Sequence, residues 1–199
     1  AQLDPIFYPD GYELVDAGIC GDNEFFIFNE TNANPKRVLF LMVNDELIEI
    51  SNPDNHTFYG IDTCSNTCYY IYFTANFERQ LYTLSGTTLT AVTKSTPDDY
   101  NDFSYIITDE CNNTCYFRYR NSNNNQLYTL SGNTLTPAID LTVYADYTFV
   151  TTYECNNNCY YTYSDSNNER HLFISSGTGL TEVVPPPGYE LENLPFQSC

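Results

Sequence analysis

Eight cysteines are the residues of this 199-residue chain best placed for covalent or metal chemistry, and six of them stand in pairs. The pairs are Cys64 with Cys68, Cys111 with Cys115, and Cys155 with Cys159, each enclosing three polar residues ("CSNTC", "CNNTC", "CNNNC"). A zinc site needs a second pair or two histidines close in space. The chain has only His56 and His171, and neither lies beside a pair. Disulfides are the better reading, and they imply an extracellular or cell-surface location. The spacing suggests local bonds, Cys64–Cys68, Cys111–Cys115 and Cys155–Cys159, each closing a short loop and contributing about 2 kcal/mol. Cys20 and Cys199 are then left over and are expected to bond to each other. That bond would enclose about 180 residues and contribute on the order of 5 kcal/mol by chain entropy.

Other chemistry is sparse. The sequence has no G-x-S-x-G, no cysteine beside a histidine, no H-E-x-x-H and no glycine-rich phosphate loop, so nucleophilic, zinc-protease and nucleotide sites have no motif. Adjacent acids such as Asp98-Asp99 and Asp109-Glu110 could serve glycoside hydrolysis, which needs only two carboxylates across a cleft. With 26 acids in the chain such pairs arise by chance, and the expectation is a protein without enzymatic activity. No cofactor is expected. Calcium has two candidate oxygen sets, "DSNNE" (Asp165 to Glu169) and "GDNE" (Gly21 to Glu24). Both lack the length and glycine of a calcium loop, and the solvated hairpin tip is the preferred reading of each. A net charge of −19 with seven basic residues excludes nucleic acid as a partner on electrostatic grounds and disfavours an anionic membrane surface. No run of eighteen apolar residues occurs, and no membrane insertion is expected.

The elements that carry these residues repeat. After each cysteine pair comes an aromatic run ("YYIYF", "YFRY", "YYTY") and then "RQLYTLSGTTLTAV" from Arg79, "NQLYTLSGNTLTPA" from Asn125 or "RHLFISSGTGLTEV" from Arg170. A degenerate copy precedes them, "CGDNEFFIF" at Cys20 and "RVLFLMVNDELIEI" at Arg37, with Glu24 in the second cysteine position. Repeats therefore begin near Cys20, Cys64, Cys111 and Cys155, at steps of 44, 47 and 44 residues. "GYELENLPFQSC" (188–199) echoes "GYELVDAGIC" at Gly11 and reads as the opening strand of a fifth copy. Each repeat alternates Tyr, Phe, Thr, Val and Ile over four short segments split by Asn-rich and Ser-Gly turns, which predicts four antiparallel strands. The expected fold is all-β: four tandem four-stranded antiparallel repeats of about 44 residues, a four-bladed β-propeller-like array with an extra C-terminal strand. Residues 1–10 form an N-terminal tail and 11–199 a single repeat domain. A bond between the first and last blades is similar to the closure of hemopexin-type propellers, although no sequence motif of that family is present.

Four repeats and one spare strand leave Tyr12 and Tyr189 as near-copies competing for one position. The surplus strand either adds to the first blade or leaves to complete a neighbouring molecule, in which case Cys199 could bond Cys20 of that neighbour. "VVPPPG" (183–188) would hold such a strand away from the body. Leu3, Ile6, Phe7 and Tyr8 of the tail, with Tyr189 and Leu191 of the terminal strand, are the expected self-association residues. N-glycan acceptors are expected at Asn29, Asn55 and Asn112, and the start "AQLDP" fits a chain whose signal peptide has been removed. Tyr69, Tyr70, Tyr72, Tyr116, Tyr119, Tyr160, Tyr161 and Tyr163 should be shared between the core and an outer or inter-blade surface. The function expected is a secreted structural or adhesive protein able to assemble head to tail into a filament. Partners are further copies or an extracellular glycan or protein. The alternatives are a lectin-like propeller module and a glycoside-acting hydrolase.

Overall fold

A computed structural model describes residues 9–95, 104–111, 113–120, 124–155, 158–175 and 179–184. Every regular element among them is a β-strand. The first sheet is a meander of β1 (Tyr12–Cys20), β2 (Asn23–Glu30), β3 (Arg37–Val43) and β4 (Glu46–Ile50). The second repeats it with β5 (Thr57–Cys64), β6 (Thr67–Phe73), β7 (Arg79–Ser85) and β8 (Thr88–Ala91). After the short β9 (Thr93–Lys94), the third sheet comprises β10 (Ser104–Cys111), β11 (Thr114–Arg120), β12 (Asn125–Ser131) and β13 (Thr134–Pro137). The fourth comprises β14 (Thr148–Cys155), β15 (Asn158–Ser164), β16 (Arg170–Ser175) and β17 (Leu180–Glu182). The four-stranded repeat expected from the sequence is present in each case. The third sheet gains a fifth strand, because β9 pairs in parallel with β13.

Turn chemistry sets the hairpins. Ser65-Asn66 (φ 49° and 63°) joins β5 to β6, and Asn44-Asp45 (φ 51° and 64°) joins β3 to β4. Paired positive φ values match the right-handed twist of the flanking strands; Asn44, Asp45 and Asn66 suit that conformation, and Ser65 adopts it as well. A feature the sequence did not disclose recurs in every repeat. The first strand carries a bulge at Val15, Tyr59, Ile106 and Val150, in each case five residues before the first cysteine.

Contacts group the chain into two units, Ala1–Ala91 and Val92–Cys199. In the first, Ile27, Leu39, Leu41 and Ile50 pack against Phe58, Tyr70, Tyr72 and Tyr82 of the second sheet. Phe58–Tyr72 and Tyr72–Tyr82 meet edge to face, with centroids 5.2 Å apart in both pairs, the arrangement that ring quadrupoles favour. The opposite side of the first sheet carries Phe26, Phe28, Val38 and Phe40. In the second unit Tyr116 and Leu127 pack with Phe149, Tyr161, Tyr163 and Phe173. Of the eight strand tyrosines expected to divide between core and surface, seven are buried and only Tyr160 is half-buried. Neighbouring residues of one strand are buried together, so both faces of these sheets are covered and these tyrosines offer no open ligand surface.

The disulfides differ from the local pairing expected. Cys20 bonds to Cys68 and Cys111 to Cys159, with Cα atoms 5.9 and 6.0 Å apart and 48 residues between partners in sequence. Cys64 and Cys115 are also disulfide-bonded. The register explains why Cys64–Cys68 and Cys111–Cys115 do not form. Cys64 stands opposite Thr67 while Cys68 stands opposite Thr63, and Cys111 opposite Thr114 while Cys115 stands opposite Glu110. Successive cross-strand pairs project to opposite faces of a sheet, so the two sulfurs of one hairpin lie on different sides. The Cys155–Cys159 bond is likewise excluded by Cys111–Cys159, and the expected Cys20–Cys199 bond, within a chain or between copies, by Cys20–Cys68. Cys199 lies outside the described residues.

Candidate functional site

The bulges of β1 and β5 border a cleft of the first unit with mixed chemistry. The extra residue Tyr59 pushes its ring against Phe73, edge to face at 4.8 Å between centroids. The Arg79 guanidinium lies 4.5 Å from the Tyr59 ring centroid, and its Nη2 donates to the tyrosine hydroxyl at 3.2 Å. Arg37 Nη1 donates to the Tyr59 carbonyl at 3.1 Å. Two cations thus fix both ends of one aromatic residue, a cation–π contact adding to the charge-assisted hydrogen bonds. Beside it opens a cleft of about 360 Å³. Phe25, Ile27 and Ile61 give it apolar walls, while Asp16, Arg37 and Tyr59 stand exposed around it. Asp16 Oδ1 accepts the Ala17 amide at 2.9 Å, which holds the carboxylate in place. The volume is at the lower end of small-molecule sites.

A second constellation lies in the fourth sheet, where "DSNNE" was read as a candidate calcium set. The loop 165–169 brings the ligand atoms of Asp165, Glu169 and His171 within 4.8 Å of one another, so one imidazole and two carboxylates could face a divalent cation. His171 Nδ1 is 2.8 Å from Glu182 Oε1, and its Nε2 is 3.8 Å from Asp165 Oδ2. The Tyr144 hydroxyl donates to the other oxygen of Glu182 at 3.1 Å. Asp165 already has work within the loop, because its Oδ1 accepts the amides of Asn167 and Glu169 at 2.9 and 2.8 Å. Burial raises the Asp165 carboxyl, but those amides, the Asn167 side chain and His171 outweigh it and hold the group below its usual range. Thr74 does the same job in the second sheet, its hydroxyl accepting the amides of Asn76 and Glu78 at 3.3 Å. The loop form is therefore shared, while the histidine belongs to the fourth repeat alone; the Glu182 position is also acidic in the first repeat, at Glu49.

The remaining expected sites are scattered. Asp109 and Glu110 are consecutive in β10 and project to opposite faces, so they do not form a carboxylate pair across a cleft. Asp109 instead faces Arg118 at 3.8 Å. Asp98 and Asp99 lie outside the described residues, as do the acceptor Asn112 and the self-association residues Leu3, Ile6, Phe7, Tyr8, Tyr189 and Leu191. Asn55 is exposed in a turn with φ 60°, whereas Asn29 is half-buried in β2, paired on both sides by Glu13 and Arg37. Gly21 has φ 59° in the first hairpin turn, and Glu24 is exposed. Neither the Tyr59 bulge nor the cleft was legible from the sequence. The one signal for them was that "FYGID" holds a glycine where the other repeats have a side chain.

No family model matches the chain, and no curated protein matches it. Among solved structures it is similar to the acylaminoacyl peptidase of Pyrococcus horikoshii, with a TM-score of 0.50 at 13% identity over 87% of this chain. An acylaminoacyl peptidase in complex with Z-Gly-Gly-Phe-chloromethyl ketone gives a TM-score of 0.50 and 13% identity over 85% of this chain. The chain spans 27% of the length of each of these. The β-propeller domain of the Trilobed protease from Pyrococcus furiosus, which has an open velcro topology, gives a TM-score of 0.48 at 11% identity, over 89% of this chain and 53% of that one. At such identities the likeness is one of fold, and the four-stranded repeats are β-propeller-like.

Proposed function

We propose that this is a secreted, non-enzymatic structural or adhesive repeat protein of the extracellular space, able to associate with further copies of itself. The observation that carries the reading is the disulfide pattern. In each unit the first-position cysteine of one repeat is bonded to the second-position cysteine of the next, so covalent bonds span neighbouring sheets rather than closing local loops. Such bonds persist in an oxidising compartment and resist unfolding where no chaperone acts. Glu24 occupies the second position of the first repeat, so a preceding copy would find no sulfur there and head-to-tail association at that position is non-covalent. Phe77, 85% exposed at the tip of the β6–β7 hairpin, is one apolar side chain that an adhesive contact could use. N-glycans at Asn29, Asn55 and Asn112 belong to the same proposal, and the function needs no cofactor.

Light scattering and sedimentation over a hundredfold concentration range test the assembly. The average mass is expected to rise with concentration, under conditions that leave the disulfides intact. A mass fixed at the 22.8 kDa monomer throughout would remove self-association from the proposal. A second reading, carbohydrate binding, is favoured by a separate observation, the cleft beside Tyr59, where apolar walls and polar side chains meet.

A further inference from the structure

We infer that the cleft between β1 and β5 is a subsite for one neutral hexose residue of a glycan, and that Gly60 is the residue that opens it. The inference rests on the carbohydrate-binding reading and gives it a place. Each first strand resumes its register after the bulge with a single residue: Asp16, Gly60, Ile107 and Thr151. Only the second repeat has glycine there. Glycine in a strand interior weakens the strand and often marks a bulge or the close approach of a ligand. The φ of Gly60 is outside the left-handed region, and a Cβ built on it would meet nothing within 4 Å. The bulge residue here is Tyr59, and neither backbone strain nor packing demands glycine at the next position. What a side chain at residue 60 would occupy is the cleft that Gly60 lines.

The lining fits a sugar. The C–H face of a pyranose is apolar and needs walls such as Phe25, Ile27 and Ile61, while its equatorial hydroxyls need fixed polar partners. Asp16 accepts, and the guanidinium of Arg37, with one nitrogen on the Tyr59 carbonyl, donates through its other fork. Tyr59 is held by Arg37 and Arg79 before any ligand arrives, which lowers the ordering cost of binding. An anionic sugar would have one guanidinium here against a chain charge of −19, so a neutral one is favoured. A peptide added as a strand is disfavoured. Both β1 and β5 are edge strands of their sheets, but a bulge interrupts each at the cleft and breaks the row of amides that strand addition requires.

The test screens the intact, disulfide-bonded protein on an array of neutral and sulfated glycans. The methyl glycoside of the terminal residue of the strongest spot is then titrated by calorimetry into the wild type, Gly60→Val and Asp16→Asn. Expected are binding to neutral glycans and at least a tenfold weaker Kd for both variants, with an unchanged or higher urea midpoint for Gly60→Val. A wild type that binds no glycan overturns the inference together with the carbohydrate reading. A wild type whose affinity survives both substitutions overturns the subsite and leaves that reading standing. If Gly60→Val folds poorly, Asp16→Asn decides alone, and an unchanged Kd rejects the cleft.

Discussion

Phe77 and Asn168 occupy the same position in two loops with the same hydrogen bonds. The Thr74 and Asp165 amides donate to the carbonyls of Glu78 and Glu169, while the Phe77 and Asn168 amides donate to the carbonyls of Thr74 and Asp165. The position is left-handed in both, with φ 62° at Phe77 and 64° at Asn168. Asn tolerates that conformation and a bulky aromatic does not, at a cost of about 1–2 kcal/mol. Phe77→Asn should therefore stabilise the chain by about 1 kcal/mol in urea denaturation, and under the adhesive reading it should weaken association in the same preparation. A midpoint that falls on substitution would show that Phe77 makes a native contact and is not merely strained. Tyr59 illustrates the complementary case, where a bulge places one aromatic residue outside a tyrosine-rich core.

At the scale of the element, the first hairpin of each repeat is where the chemistry of the chain is decided. In the second repeat the two-residue turn Ser65-Asn66, with positive φ and a fixed register, sends Cys64 and Cys68 to opposite faces, so each can reach only another sheet. The 48-residue separation in Cys20–Cys68 makes such a bond worth about 4 kcal/mol by chain entropy, about twice the value of a local one. Replacing both Cys20 and Cys68 by Ala should lower the unfolding free energy by about that amount and shift the urea midpoint accordingly. Peptide mapping without reduction should recover residues 20 and 68 in one crosslinked species. Recovery of Cys64 joined to Cys68 would contradict the register described above.

For the whole molecule, the buried tyrosines make stability depend on alkaline pH. Burial raises the hydroxyl pKa of Tyr72, of Tyr119 and of Tyr161 well above the ordinary value near 10, with neighbouring tyrosines adding to the effect. A folded-state pKa above the unfolded one means that the unfolded chain loses protons first. The stabilisation is complete below about pH 10 and is lost as pH rises toward the folded values, by about 1.4 kcal/mol per pH unit for each such tyrosine. Urea midpoints measured from pH 8 to 11.5, with tyrosinate absorbance followed in parallel, should fall steeply only above pH 10. Ionisation of these tyrosines at pH 10 without unfolding would show that they are accessible to solvent.

The sequence alone determined the repeat, its four strands, its turns and the oxidised state of the six cysteines whose side chains are described. Period-2 aromatic runs, Asn-rich and Gly turns and cysteine spacing are local quantities, written residue by residue. Spacing could not give the disulfide partners, because nearness along a hairpin says nothing about which face each sulfur leaves from. The division of the tyrosines was equally hidden, since alternation assigns a side chain to a face and only a second sheet decides whether that face is covered. The Tyr59 bulge and the Gly60 cleft belong to tertiary structure for the same reason. One unpaired residue in β5 has no sequence signature of its own, and a missing Cβ becomes a cavity only when another sheet supplies the opposite wall.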